Sequence, residues 1–357
     1  MKKILKNTIL LFSLMFLAFG CSQEEASYTK YNKMFFEHFD TVTTVIGYTK
    51  TQEEFDNYVD EIETLFGEYH KLYDIYNTYD GINNIKTINE MAGKEPVEVD
   101  QRIIDLLLVS RELREKTNDT VNIAMGPVLR IWSDYREDGL EDPENAKLPS
   151  MEELEEAYTH TDLNKVIIDE TNNTVFLEDE KMSLDVGAIA KGYTAEVVGE
   201  KMRDEGFTSL ILNAGGNIKV LDKPLDDRNR WGMGIKNPDE SKSGDLDVVF
   251  GNNISVVTSG DYERYYTVDD ISYHHLIDPV TLFPGTKFKS VTIVTEDSGV
   301  ADYLSSILFL SDIEEGKRVL KNFEDSYALW VTKDNEIVVS DGFEKYLKSK
   351  GVSGADK

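Results

Sequence analysis

A single cysteine, Cys21, stands in 357 residues, so no disulfide can form within the chain and its stability must come from a packed core. Basic residues are scarce as well. Lys and Arg number 38 against 67 Asp and Glu, a net charge of −29. That balance argues against nucleic acid and against adhesion to anionic lipid surfaces. There is no internal repeat, no low-complexity linker and no long apolar run. The apolar stretch from Ile9 to Phe19 is too short to span a bilayer. A phosphate-cradling G-x-x-x-x-G-K-[ST] loop cannot be written anywhere in the glycine-rich stretch around Gly187.

What the N-terminus does have is a targeting pattern. Lys2, Lys3 and Lys6 precede the short apolar run, which ends at Leu17-Ala18-Phe19-Gly20-Cys21. This resembles a bacterial lipoprotein signal, in which the Cys becomes the lipidated first residue. Ala18 and Phe19 depart from the usual residues there, and ordinary secretion is the alternative. Loss of residues 1–20 leaves 35 Lys and Arg against the same 67 acids, about −32. The expectation is a soluble domain on the outer face of the cell membrane, anchored by lipid at Cys21. Residues 21–33 read as a polar tether, 34–349 as one large domain of two intimately packed halves, and 350–357 as a flexible tail.

Periodicity gives the elements. Thr41–Tyr48 reads as a strand, and Thr51-x-x-Glu54 opens a helix whose stripe is Phe55, Tyr58, Val59, Ile62, Leu65, Phe66, Tyr69 and Leu72. The aromatics on that stripe read as core. Further helices are expected over 100–115, from Ser150, and near 191–205, 300–309 and 312–322. Short strands are expected at 209–212, 248–257 and 289–294, and the acid-rich stretch 136–147 as an exposed loop. Without regular βαβ alternation, the fold class is α+β, with mixed or antiparallel sheets flanked by helices.

Four polar or glycine-rich segments interrupt the apolar runs. They are Ser183–Tyr193, Asn213–Ile218, Thr258–Glu263 with His274–Pro279, and Ala301–Ser306. Glycines let a backbone approach a ligand closely, and a helix N-terminus offers free N–H groups to an anion. Asp302 and Ser306 are four apart, on one face of a helix. Together they can offer two hard oxygens to Mg²⁺, whose octahedron a phosphate completes. The plain alternative is that Asp302 caps its helix. His275 beside Asp278-Pro279 is either a general base or a packed imidazole, and Gly215-Gly216 either a ligand-facing or a merely tight turn.

In this order the segments Asp185-x-Gly-x-x-Ala-Lys-Gly-Tyr, Asn213-Ala-Gly-Gly-Asn, Thr258-Ser-Gly-Asp-Tyr-Glu, His275-x-Ile-Asp-Pro and Ala301-Asp302-x-x-Ser-Ser306 resemble the ApbE family of bacterial FAD:protein FMN transferases. The resemblance covers roughly residues 35 to 345. It implies a Mg²⁺-dependent reaction: FAD is cleaved at its pyrophosphate, FMN is joined through its phosphate to a Thr or Ser of an acceptor protein, and AMP leaves. By similarity the metal ligands would be Asp302, Ser306 and the carbonyl of Ala188. Many members have Thr where this chain has Ser306, and both carry a hydroxyl.

The same resemblance assigns FAD contacts to Asp185 and Lys191 and to Ser259, Leu276 and Ile277. It assigns flavin contacts to Phe39, Tyr79, Thr120, Val121 and Asn122, and makes His275 the base. Phe39 stands before Asp40-Thr41 where many members have Met-Gly-Thr. Asn83-Asn84-Ile85, after Tyr79, departs from the family's Asp-Ser-Glu-Ile. Met125-Gly126-Pro127 resembles the family's Val-Gly-Pro turn. Two other readings of the same site are a Mg²⁺-dependent FAD pyrophosphatase and a non-catalytic flavin-binding lipoprotein. The tail Gly351-Val352-Ser353-Gly354-Ala355 resembles the acceptor motif Asp-x-x-[Ser/Thr]-Gly-Ala, with Lys350 in place of Asp, which raises self-flavinylation at Ser353 as a hypothesis.

Overall fold

The computed structural model describes residues 27–239 and 241–355. The signal segment and Cys21 lie outside them. In chain order the elements are β1 (Thr29–His38), β2 (Thr41–Thr49), α1 (Gln52–Tyr73), α2 (Ile85–Glu90), β3 (Val97–Glu98), α3 (Gln101–Lys116), α4 (Gly126–Glu141) and α5 (Met151–Tyr158). Then come β4 (Val166–Asp169), β5 (Thr174–Leu177), α6 (Ala190–Asp204), β6 (Leu210–Ala214), β7 (Asn217–Leu221), β8 (Trp231–Lys236), β9 (Asp245–Gly251) and β10 (Ile254–Gly260). The chain closes with β11 (Tyr265–Val268), β12 (Ile271–His274), β13 (Phe288–Thr295), α7 (Ser298–Leu310), α8 (Ile313–Leu320), β14 (Tyr327–Thr332) and β15 (Ile337–Val339).

Eight strands form one antiparallel sheet in the order β1-β2-β6-β7-β10-β13-β14-β15. Period-two alternation buries both of its faces. Ala328 and Trp330 of β14 join a core with α1, α3, α6 and α7, while Leu329 and Val331 face the β8–β9 hairpin through Trp231, Met233 and Val249. A third cluster holds α4 and α5 against the β11–β12 hairpin through Val128, Trp132, Leu154 and Tyr266. Helix α7 is apolar nearly all round and, Val300 apart, wholly buried, as expected of a helix in the middle of a large core. Among the described residues no helix is long and apolar enough to cross a membrane.

Four expectations are corrected. The tether is shorter than 21–33, because residues 29–33 already pair with β2. Tyr31 packs on Phe55, which is why a polar-looking stretch is a strand. The acid-rich stretch from 136 is not all loop: α4 runs to Glu141, held by Val128, Trp132 and Gly139 on one buried face. The run 248–257 is two strands, β9 and β10, turned at Asn253 in the left-handed region (φ 51°), where Asn is tolerated. The tail is docked as far as Ala355, the carbonyl of Gly354 accepting the N–H groups of Asn229 (2.7 Å) and Arg230 (3.3 Å).

Candidate active site

The centre of the site is where α6 and α7 cross. Asp297 caps α7, its Oδ1 accepting the Val300 N–H at 2.9 Å, which leaves Asp302, one turn in, free of that task. α6 has no side-chain cap from its own N-cap residue, Ile189. Asp302 supplies one from the other helix: its Oδ2 accepts the Gly192 N–H (2.9 Å) and the Asn217 amide (2.9 Å). No hydrogen bond from the described residues falls on its Oδ1. Asp302 is 5% exposed. Burial raises its pKa, opposed by the charge of Lys191 and by the two hydrogen bonds. Ser306, equally buried, follows one turn on. Ser305 is spent on packing, its hydroxyl bonding the Asp302 carbonyl (2.8 Å) and the Ser259 hydroxyl (2.7 Å).

The two adjacent histidines divide structural and chemical work. His274 donates from Nε2 to the Gly285 carbonyl (2.7 Å) and accepts the Leu276 N–H at Nδ1 (3.2 Å). Both ring nitrogens are thus committed, and the ring is a neutral structural element. Among the described residues, His275 is hydrogen-bonded through its backbone N–H, which donates to the Arg264 carbonyl (3.0 Å). His275 lines the cavity, and its buried Nδ1 has no partner among the described residues. Burial, aided by Arg264, His274, Lys191 and Arg136, lowers its pKa to about 3. A neutral imidazole with an uncommitted nitrogen is what a proton acceptor requires. Nearby, Asp185 is tied down at both ends: its N–H donates to the Ile123 carbonyl and its Oδ1 accepts the Gly187 N–H, each at 2.8 Å. Burial raises its pKa too, opposed by Arg264 and Arg136.

These groups share one cavity of about 500 Å³. Its wall includes Phe39, Thr120, Val121, Asn122, Asp185, Ala188, Lys191, Ser259, His275, Leu276, Ile277, Asp302 and Ser306, so nearly all the sequence-derived positions, hundreds of residues apart in the chain, converge on it. Phe39 reaches it from the two-residue turn of the β1–β2 hairpin, where Phe39 (φ 53°) and Asp40 (φ 51°) are both left-handed, as a type I′ turn demands. Tyr79 is the exception. It does not line the cavity; its hydroxyl donates to Asp74 Oδ2 (2.7 Å) and lies 3.4 Å from His70 Nε2, and Asp74 and His70 form the wall instead. No described residue after Leu310 lines the cavity, so Ser353 sits elsewhere.

Two arginines escaped the sequence reading. Arg136 of α4 and Arg264 before β11 line the cavity with Lys191. Arg136 bonds the Ser133 hydroxyl (3.0 Å), and among the described residues none of the three makes an ion pair with a carboxylate. In a chain of net charge −29, three cations without a direct ion pair on one cavity suit a bound anion, although Asp185 and Asp302 on the same wall feel their charge. Arg264 directly follows the Thr258–Glu263 segment and was within reach. Arg136 was hidden by the acidic residues around it. Among the described residues, no cluster of three or more His, Cys, Asp or Glu is arranged to hold a metal. A cation here would therefore rest on one carboxylate, a hydroxyl and a carbonyl, with substrate oxygens completing its shell.

A model of the ApbE family matches residues 39–330. The chain belongs to the ApbE family. It is 32% identical over 259 residues to an FAD:protein FMN transferase of Klebsiella pneumoniae, covering 72% of this chain and 78% of that protein. Over 271 residues it is 32% identical to one of Treponema pallidum, covering 72% and 73%. The crystal structure of the ApbE protein from Thermotoga maritima matches with a TM-score of 0.77 at 26% identity, covering 89% of this chain and 99% of that one. The flavin transferase ApbE from Vibrio cholerae shares the fold at a TM-score of 0.73 and 20% identity, covering 89% and 100%.

Proposed function

We propose that this ApbE-family protein is an FAD:protein FMN transferase that works on the outer face of a membrane, to which Cys21 is lipid-anchored. The observation that carries the reaction is the meeting of three unpaired cations, a buried Asp302 with one uncommitted oxygen, and a neutral His275 in one cavity. That set suits a diphosphate ester under attack by a hydroxyl.

In this reading Lys191, Arg136 and Arg264 bind and orient the pyrophosphate, and Asp302, Ser306 and the Ala188 carbonyl are the groups that would hold Mg²⁺. The metal, when bound, neutralises charge on the phosphate oxygens. A Thr or Ser hydroxyl of the acceptor, within an Asp-x-x-[Ser/Thr]-Gly-Ala segment, attacks the flavin-side phosphorus. His275 takes its proton, the new P–O ester forms, the bond to the AMP phosphate breaks, and AMP leaves with the released charge. The apolar Phe39, Val121, Leu276 and Ile277 give the flavin half a dry wall.

The test is FAD turnover followed by AMP release, with Mg²⁺ or EDTA, and with or without a peptide bearing Asp-x-x-Thr-Gly-Ala-Thr. AMP release that needs Mg²⁺, with FMN appearing on the peptide, is the expected result. Free FMN regardless of peptide would make the protein a pyrophosphatase, and tight FAD binding without AMP a flavin carrier. Detergent partitioning of the wild-type protein against Cys21→Ala tests the anchor.

A further inference from the structure

Strand β7 sends alternate side chains to the α6–α7 crossing. Asn217 is one, and its amide holds Asp302. Two residues on, in the same direction, is Lys219, only 1% exposed. Its Nζ bonds Glu196 Oε1 of α6 (2.7 Å), lies 3.2 Å from Glu200 Oε1, and bonds the Glu296 carbonyl just before α7 (3.1 Å). The other oxygen of Glu196 accepts the N–H of Ser298, the first residue of α7, at 2.7 Å.

The two helices thus cap each other: Asp302 of α7 caps α6 at Gly192, and Glu196 of α6 caps α7 at Ser298. β7 supplies one donor to each carboxylate. A lysine with so little water around it needs such partners, and burying it is costly without them. The site chemistry described above does not use it.

We infer that Lys219 and Glu196 are positioning residues, which set the depth and rotation of α7 against α6 and so the placement of Asp302 and Ser306 beside Ala188 and Lys191. This rests on the reading of Asp302 and Ser306 as the metal-holding groups. Lys219 does not line the active-site cavity; it acts through Glu196 and the first turn of α7.

The test is Lys219→Met and Glu196→Gln in the full-length protein, beside Lys219→Arg. Each is assayed for FAD affinity by flavin fluorescence, for kcat by AMP release, and for the Mg²⁺ concentration giving half of kcat. Lys219→Met is expected to bind FAD within about twofold of wild type, while the half-saturating Mg²⁺ rises tenfold or more and kcat falls. Lys219→Arg, which restores the charge, is expected to return both to within about threefold. Glu196→Gln, which still accepts the Ser298 N–H but has lost its charge, should fall between. A folded Lys219→Met or Glu196→Gln protein with wild-type Mg²⁺ dependence overturns the inference. So does failure of both to fold, which would make the pair a stability element alone. Asp302→Ala separates the two readings: if it leaves the Mg²⁺ dependence intact, the metal assignment itself is wrong.

Discussion

The backbone N–H of Gly192 donates to the carboxylate of Asp302 across the α6–α7 crossing at 2.9 Å. One hydrogen bond therefore joins the glycine-rich segment to the acid that follows it by 110 residues. It explains why a glycine is needed there. A Cβ at residue 192 would lie 2.2 Å from the Ser298 carbonyl oxygen and 2.5 Å from the Asp302 Cβ. The backbone oxygen cannot rotate away as a side chain could. Gly192→Ala is expected to push α7 off α6, costing about 1–3 kcal/mol by overpacking. Turnover should fall by more than the loss of folded protein explains. Thermal denaturation and AMP release on the same sample measure both; a variant with wild-type melting and wild-type turnover would show that the helices have room to part.

Asp302 itself offers a cleaner cut. Asp302→Ala removes the acceptor for Gly192 and Asn217 and the oxygens available to a cation. Asp302→Asn keeps an acceptor but not the charge. Both should lose Mg²⁺-dependent AMP release by a hundredfold or more. Because burial already disfavours the charged form, neither should lower the melting temperature by more than a few degrees. Turnover within tenfold of wild type in either variant rules out Asp302 as the metal-holding acid.

Much of this site could be read from sequence because its parts are local motifs with a backbone reason. Gly192 needs closeness, Asp302 and Ser306 share a helix face, and the strands and helices around them show their periods plainly. What could not be read depends on tertiary partners. Asp302 looked equally able to cap α7, and only the position of Asp297 shows that it caps α6 instead. Tyr79 carries an aromatic where one was expected, yet its hydroxyl turns to Asp74 and His70. The acidic stretch after Tyr135 masked both a helix and the arginine inside it. Residues 29–33 read as tether because only the pairing with β2 makes them a strand.

Arg264 and Arg136 carry the charge argument. Each should act on substrate binding before catalysis, because among the described residues neither makes a direct ion pair with a carboxylate, Asp185 feeling their charge only at a distance. Arg264→Gln and Arg136→Gln are each expected to raise KM for FAD about tenfold. They should also flatten the dependence of KM on ionic strength, since screened attraction is what they supply. Initial rates from 20 to about 500 mM salt give the comparison. Unchanged KM and unchanged salt dependence would place the pyrophosphate elsewhere.

His275 gives a pH signature with a definite sign. Its pKa is about 3 in the folded protein against 6.5 as the ordinary value. Between those limits the unfolded chain binds the extra proton and the native one does not, so stability rises with pH across that window and is unaffected by this group above it. His275→Gln removes the titration. The variant should therefore lose less stability than wild type between pH 7 and pH 4, read as a smaller fall in melting temperature. In turnover the effect is different: kcat for FMN transfer should drop a hundredfold or more while FAD affinity stays within about threefold. Parallel losses in kcat and affinity would show that the imidazole packs against FAD rather than accepting the proton. An unaltered pH dependence of melting would show that the imidazole's pKa is not lowered on folding.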